Sequence, residues 1–264
     1  MSRRPLRALS ALFALCAGLA TAAGPAAARP ASAIVRPADE AGTSLPELGA
    51  ELFAGNCLRC HGIAGTGIRT PAGRGGGIGP SLHGVGARSA DFYLRTGYMP
   101  LAAATDQPSR SRVLLHGREI RGLVAYIASL GGGPAIPSPE PARGSLSGGL
   151  QLFTEHCAGC HQITGQGGVV TGARVPPLSK ANATQIAEAV RTGPSVMPRF
   201  GTRQISGRQL DSIIRYVMYT RHPDNRGGWG IGNLGPFPEG LVSWFLAGGL
   251  LVGVCLLTAR RARQ

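Results

Sequence analysis

Two short stretches of this sequence could do chemistry. Residues 57–61 read Cys-Leu-Arg-Cys-His and residues 157–161 read Cys-Ala-Gly-Cys-His, one hundred positions apart. Two thiols three positions apart, with an imidazole directly after, serve three chemistries: a metal clip, a redox dithiol, or covalent attachment of a haem. A zinc site wants four ligands, and each copy supplies three. A thioredoxin-like dithiol wants a strand–helix–strand setting, which neither copy offers. Haem attachment uses every residue. The thiols of Cys57 and Cys60, and of Cys157 and Cys160, add to the two vinyl groups, and His61 or His161 sets its imidazole beneath the iron. The sequence therefore predicts two covalently attached haem c groups.

A sixth iron ligand comes next. Met99 and Met197 each precede a proline, in a loop, at matching places after the two motifs. Histidine plus methionine is an electron-transfer pair in which the soft thioether raises the potential. Met99 and Met197 are the expected ligands of the first and second iron. His83 is the most credible rival in the first copy, ahead of His116. In the second, His156 abuts Cys157 and is badly placed to reach the far face. Met218 lies inside a helical stretch and is expected in the core. Pro80 and Pro176 either support the axial histidines through a backbone carbonyl or are ordinary loop prolines.

The elements that position these groups repeat as well. Gly49 and Phe53 precede the first motif as Gly149 and Phe153 precede the second. Downstream, GPSL (79–82) answers to VPPL (175–178), and LRTGYMP (94–100) answers to VRTGPSVMP (190–198). Each copy closes on a helical apolar stripe: Ile120, Leu123, Val124 and Ile127 in one, Leu210, Ile213, Ile214 and Val217 in the other. Glycine and phenylalanine at i and i+4 share a helix face, and the glycine lets another helix cross closely. Tyr126 and Tyr216 are the expected aromatic partners of the two phenylalanines. A Gly- then Pro-rich stretch separates the copies.

Composition and charge narrow the class. Aromatic residues make up only 5% of the 264, so apolar bulk must come partly from something other than side chains, and a haem would supply it. The net charge is +14, and leaving out the six arginines of the two ends (Arg3, Arg4, Arg7, Arg260, Arg261 and Arg263) gives +14 − 6 = +8. That excess favours encounter with an acidic redox partner. No nucleic-acid motif and no aromatic–basic interleaving accompany it, so nucleic acid is not an expected partner.

Both ends read as membrane-related. Arginines followed by an alanine-rich run and A-x-A sites make residues 1–28 a secretory signal, the alternative being a retained anchor. Residues 241–259 carry no charge and, as a helix, would span roughly 28 Å, one hydrocarbon core. Residues 260–264 form a basic tail, which the positive-inside rule keeps in the cytoplasm with both motifs outside. Trp229 and Trp244 suit the outer interface.

Each copy resembles a class I cytochrome c domain. The expected fold is all-α: cytochrome c domains at 45–131 and 146–222, a linker at 132–145, a Gly-rich juxtamembrane segment at 223–240 and one C-terminal transmembrane helix. The segment DNRGGWGIGNLGPFPEGLVSWFLAGG (224–249) after tandem cytochrome domains is similar to that of the dihaem cytochrome c subunit of the actinobacterial cytochrome bc complex. That resemblance implies a respiratory electron-transfer subunit of a quinol–cytochrome c reductase, with no catalytic residues of its own. Its implied partners are a cytochrome b subunit, a Rieske iron–sulfur protein and an aa-type oxidase. By the same analogy the Cys57 haem accepts electrons and the Cys157 haem donates them. The rivals are a free-standing membrane-anchored carrier, a dehydrogenase's cytochrome subunit and a dihaem peroxidase, which would need an open iron site.

Overall fold

The computed structural model describes residues 34–38, 42–69, 79–102, 106, 109–223 and 236–263. The leader expected at 1–28 and most of the juxtamembrane segment, 224–235, lie outside the described residues. Nine α-helices occur among the described residues: α1 Leu45–Asn56, α2 Leu58–His61, α3 Gly86–Arg95, α4 Gly117–Ser129, α5 Leu146–His156, α6 Ala158–His161, α7 Ala183–Thr192, α8 Gly207–Tyr219 and α9 Pro236–Arg261. The chain is helical, as expected, with one small departure. After the second motif, β1 (Gly168–Val170) and β2 (Ala173–Val175) pair antiparallel across Thr171 and Gly172. β-Branched valines on both arms and a glycine at φ +82° give that loop hairpin chemistry.

The described chain forms two compact units. One runs to Pro139 and takes in Asn182–Ser206; the other comprises Glu140–Ala181 and resumes at Gly207. The segment 182–206, which the repeat assigns to the second copy, thus groups with the first.

In the first unit α1 lies across α4. Ser44 caps α1 by accepting from the Glu47 N–H at 3.4 Å, and Pro46 suits the first turn, where no intrahelical donor is needed. A methyl on Gly49 would strike the Gly122 carbonyl, so two glycines let the backbones touch at this crossing. Leu48, Leu52 and Phe53 of α1 join Ile120, Leu123, Val124 and Ile127 of α4 and Ala90 and Leu94 of α3 in one apolar core. Phe53 stacks at 5.2 Å on Tyr126. Glu119 starts α4 by accepting from the His116 N–H at 2.6 Å, and its other oxygen holds Arg36 at 2.7 Å. Within the same unit α7 packs on α3, burying Ile186, Ala187 and Val190. Asn182 and Gln185 cap α7 reciprocally.

The second unit rebuilds the crossing with different atoms. α5 lies on α8, and a methyl on Gly149 would strike the Ser212 carbonyl. Phe153 stacks at 5.3 Å on Tyr216. All four residues of the expected stripe on α8 are buried. Met218 is a correction: expected in the core, it is 41% exposed, because it follows Val217 by one helical step and so turns off the buried face. Residues Gly240–Arg261 of α9 form a 22-residue apolar helix long enough to cross a membrane, with none of its span buried in protein.

Candidate functional site

Each motif sits where one helix ends and a second, single-turn helix begins. In the first copy the Cys57 N–H donates to Phe53 O at 2.8 Å, ending α1, and the His61 N–H donates to Cys57 O at 2.9 Å. In the second the equivalent bonds, Cys157 to Phe153 and His161 to Cys157, are 2.8 and 2.9 Å. Both thiols and the imidazole of each copy therefore lie on one turn, fixed by the buried phenylalanine four residues before it. The loops return alike: Leu82 N–H donates to Gly65 O and Leu178 N–H to Gly165 O, each at 2.8 Å. The residue after each histidine takes positive φ, Gly62 at +75° and Gln162 at +60°, which turns the chain sharply off the motif.

The first thiol of each pair is the more buried one. Burial, then the neighbouring Cys60, pushes the Cys57 thiol up to about 12, and burial, then Cys160, pushes Cys157 up to about 11. A nucleophilic dithiol needs an accessible thiolate, so both environments oppose that chemistry.

The histidines show what holds them. His61 Nδ1–H donates to the Pro80 carbonyl at 2.8 Å, since a carbonyl can only accept. That fixes the tautomer and leaves the Nε2 lone pair for a metal. Gly79 makes the approach possible, because a side chain there would strike the Cys60 carbonyl. His161 Nδ1 is buried without a hydrogen-bond partner. Burial pulls its affinity for a proton down, and the Pro176 carbonyl works in the other direction without closing a bond of ordinary geometry. The balance disfavours the charged imidazole.

Met99 packs with Cys57 against the same apolar core, so the first copy brings the attachment turn and the expected sixth ligand to one cluster. Its N–H donates to Tyr93 O at 3.1 Å, tying it to the end of α3. The rival His83 is engaged elsewhere, donating from Nε2 to Ala64 O at 2.9 Å. The other rival, His116, opens α4, and His156 is an exposed side chain 3.9 Å from Glu155. Met197 is half-buried in the segment that groups with the first unit, and its N–H donates to Pro194 O at 3.0 Å. Cys57, Cys60, Cys157 and Cys160 with their histidines thus form two Cys-x-x-Cys-His turns whose paired thiols and adjacent imidazoles fit haem c.

One positioning residue escaped the sequence reading, and a second has a role beyond the one expected of it. Arg191 of the repeated Arg-Thr-Gly is only 9% exposed, and its Nη1 donates to Phe200 O at 3.1 Å, bracing the Met197 loop. The recurrence of Arg-Thr-Gly at 95–97 was the signal that could have found it. Tyr216 does more than stack: its hydroxyl donates to Ile163 O at 2.7 Å, holding the chain two residues past His161.

A Cys-x-x-Cys-His turn seated on a helix crossing, present twice, is the pattern of a c-type cytochrome, and comparison with known proteins agrees. Residues 46–131 match the cytochrome c family, and residues 144–217 match the family of cytochrome c oxidase, cbb3-type, subunit III. The cytochrome bc1 complex cytochrome c subunit of Mycobacterium tuberculosis is 35% identical over 269 residues, covering 98% of this chain and 94% of that one. The same subunit of Corynebacterium diphtheriae is 32% identical over 277 residues, at 98% and 94% coverage. A cbb3-type cytochrome c oxidase subunit CcoP from Azospirillum is 26% identical over 189 residues, covering 64% of this chain and 60% of that one. The chain belongs to the family of cytochrome bc1 complex cytochrome c subunits. It is therefore an electron-carrying subunit of a bc complex, with covalently bound haem c and a membrane setting.

Proposed function

We propose that this chain binds two haem c groups and serves as the one-electron carrier between a Rieske iron–sulfur protein and an aa-type terminal oxidase, beside a cytochrome b subunit. The observation that carries this reading is the duplication itself, which extends from the motifs to the backbone hydrogen bonds that fix them. Cys57 and Cys60 hold the first group and Cys157 and Cys160 the second. His61 with Met99, and His161 with Met197, ligate the irons. A bound haem supplies reversible one-electron iron chemistry. The chain's own part is to orient each imidazole, keep water from the first copy's apolar core and present a soft thioether.

The apolar helix at Gly240–Arg261 supports a single-pass anchor, and Arg260, Arg261 and Arg263 support a cytoplasmic C-terminus with both haem turns outside. A passive anchor suffices, because the span from 241 to 259 holds no ionisable side chain in the acid or base range of a proton path. Quinol oxidation then falls to another subunit.

The test is purification of the tagged chain from its own membranes, with a reduced-minus-oxidised spectrum and a haem count. Two c-type haems per chain, accompanied by b-type and a-type bands, are expected. A c band alone would make the chain a free-standing carrier, and one haem per chain would remove the second site.

A further inference from the structure

The first unit buries a pair of acids that the haem sites do not use. Glu188, on α7 where it packs against α3, is 0% exposed, and no N–H or hydroxyl donor reaches either of its carboxylate oxygens. Asp91 of α3 is 4% exposed and lies close enough for its carboxylate to act directly on that of Glu188. Both Asp91 oxygens are already held by Arg95 Nε, at 2.7 and 2.8 Å. Two ionised carboxylates are acceptors only and repel each other. A proton on one of them turns that repulsion into a hydrogen bond.

Among the described residues, these charged groups surround the pair. α3 contributes Asp91, Arg95 and Arg88; α7 contributes Glu188 and Arg191; the loop after α7 contributes Arg199. The arginines are largely committed. Arg95 is spent on Asp91, and Arg191 donates to the Phe200 carbonyl. Arg88 is partly buried and its Nε has no partner, and Arg199 and Arg191 both repel its charge. No guanidinium forms an ion pair with Glu188.

We propose that Glu188 and Asp91 form a proton-binding carboxyl pair, one proton shared between α7 and α3, that latches the two helices together. Burial first, and the Asp91 charge second, push the Glu188 carboxyl up to about 8, outweighing Arg95 and Arg88. The sign of the pH effect follows. In the unfolded chain Glu188 loses its proton near the ordinary carboxylate range, whereas in the fold it keeps it to about pH 8. The folded pair holds its proton up to about pH 8, and its contribution to stability is full below about pH 4.5. That contribution falls as pH rises toward 8, by up to about tenfold in the folding equilibrium per unit, and falls no further above that.

The test compares the purified full chain with Glu188→Gln, an amide that stays neutral and still donates. Urea unfolding is followed by the haem absorption from pH 5 to 9, and the protonated-carboxyl stretch by infrared difference in light and heavy water. The variant should match the wild type at pH 5 and surpass it progressively up to pH 8, and the infrared band present in the wild type at pH 7 should vanish. Parallel pH profiles, or a band unchanged by the substitution, would overturn the proposal. Where Glu188→Gln fails to accumulate, Asp91→Asn serves: with its charge gone the wild-type band should titrate at lower pH, and an unmoved midpoint would overturn the proposal.

Discussion

At the scale of single residues, the motif chemistry is local, and that is why it was legible. Thiols three apart with an adjacent histidine must share one turn, and each does, held by a phenylalanine four residues earlier. The sequence offered the Pro80 and Pro176 carbonyls as supports behind the imidazoles but could not decide between that role and ordinary loop prolines. The Pro80 carbonyl accepts from His61 Nδ1–H at 2.8 Å, whereas the Pro176 carbonyl acts on His161 without closing an ordinary hydrogen bond, so the two motifs differ in the geometry of their support. Met218 was misjudged for a related reason. An apolar stripe gives the buried face of a helix but places no neighbour one step off it. The Met99 assignment yields a direct prediction. Met99→Ala removes the thioether that shares the core with Cys57, so one haem should lose its sulfur-to-iron charge-transfer band and drop in potential while the other is unchanged. A visible spectrum and redox titration of the reduced and oxidised chain check this. Retention of the band for both haems would assign the ligand elsewhere.

Between helices, the glycines matter more than the stripes. Both closing helices were readable from their apolar period, and so was the need for a small residue where α1 and α5 cross them. The atoms met at each crossing were not: Gly49 faces a second glycine, Gly122, whereas Gly149 faces Ser212, because the repeat conserves the crossing rather than its surface. Gly49→Ala would drive a methyl into the Gly122 carbonyl, a backbone atom that cannot swing aside. Overpacking of this kind costs about 1–3 kcal/mol or more. Thermal unfolding should therefore fall well below that of Gly117→Ala, whose new methyl meets only the end of Arg121 at 3.6 Å and gains helix propensity. Equal stability of the two variants would mean that α1 and α4 are not in backbone contact. The hairpin and the buried Glu188 were beyond sequence reasoning. A three-residue strand is too short to show a period, and a charged residue on an amphipathic helix reads as solvent-facing until a second helix is known to cover it.

For the molecule as a whole, the open matter is what tethers it. α9 exposes almost every large apolar side chain it carries, Trp244 at 79% and Leu250 at 72% among them, so its apolar surface finds no solvent-excluding partner in the described protein. In water that surface is costly; in lipid a helix of this length needs none. The sequence made this legible because a membrane span is specified by composition and length alone. It left the N-terminal run open between a cleaved signal and a second anchor, because short alanine-rich segments satisfy both descriptions. Ending the chain after Pro223 separates the two. Both attachment turns precede that point, so the shortened protein should keep its c-type spectrum. If the leader is removed on export, membrane fractionation should find the haem protein in the soluble extracytoplasmic fraction, since no other apolar span remains. If it still sediments with the membrane and resists high salt, the leader is retained as a second anchor and the chain crosses the bilayer twice, because salt strips electrostatic attachment but not a buried helix.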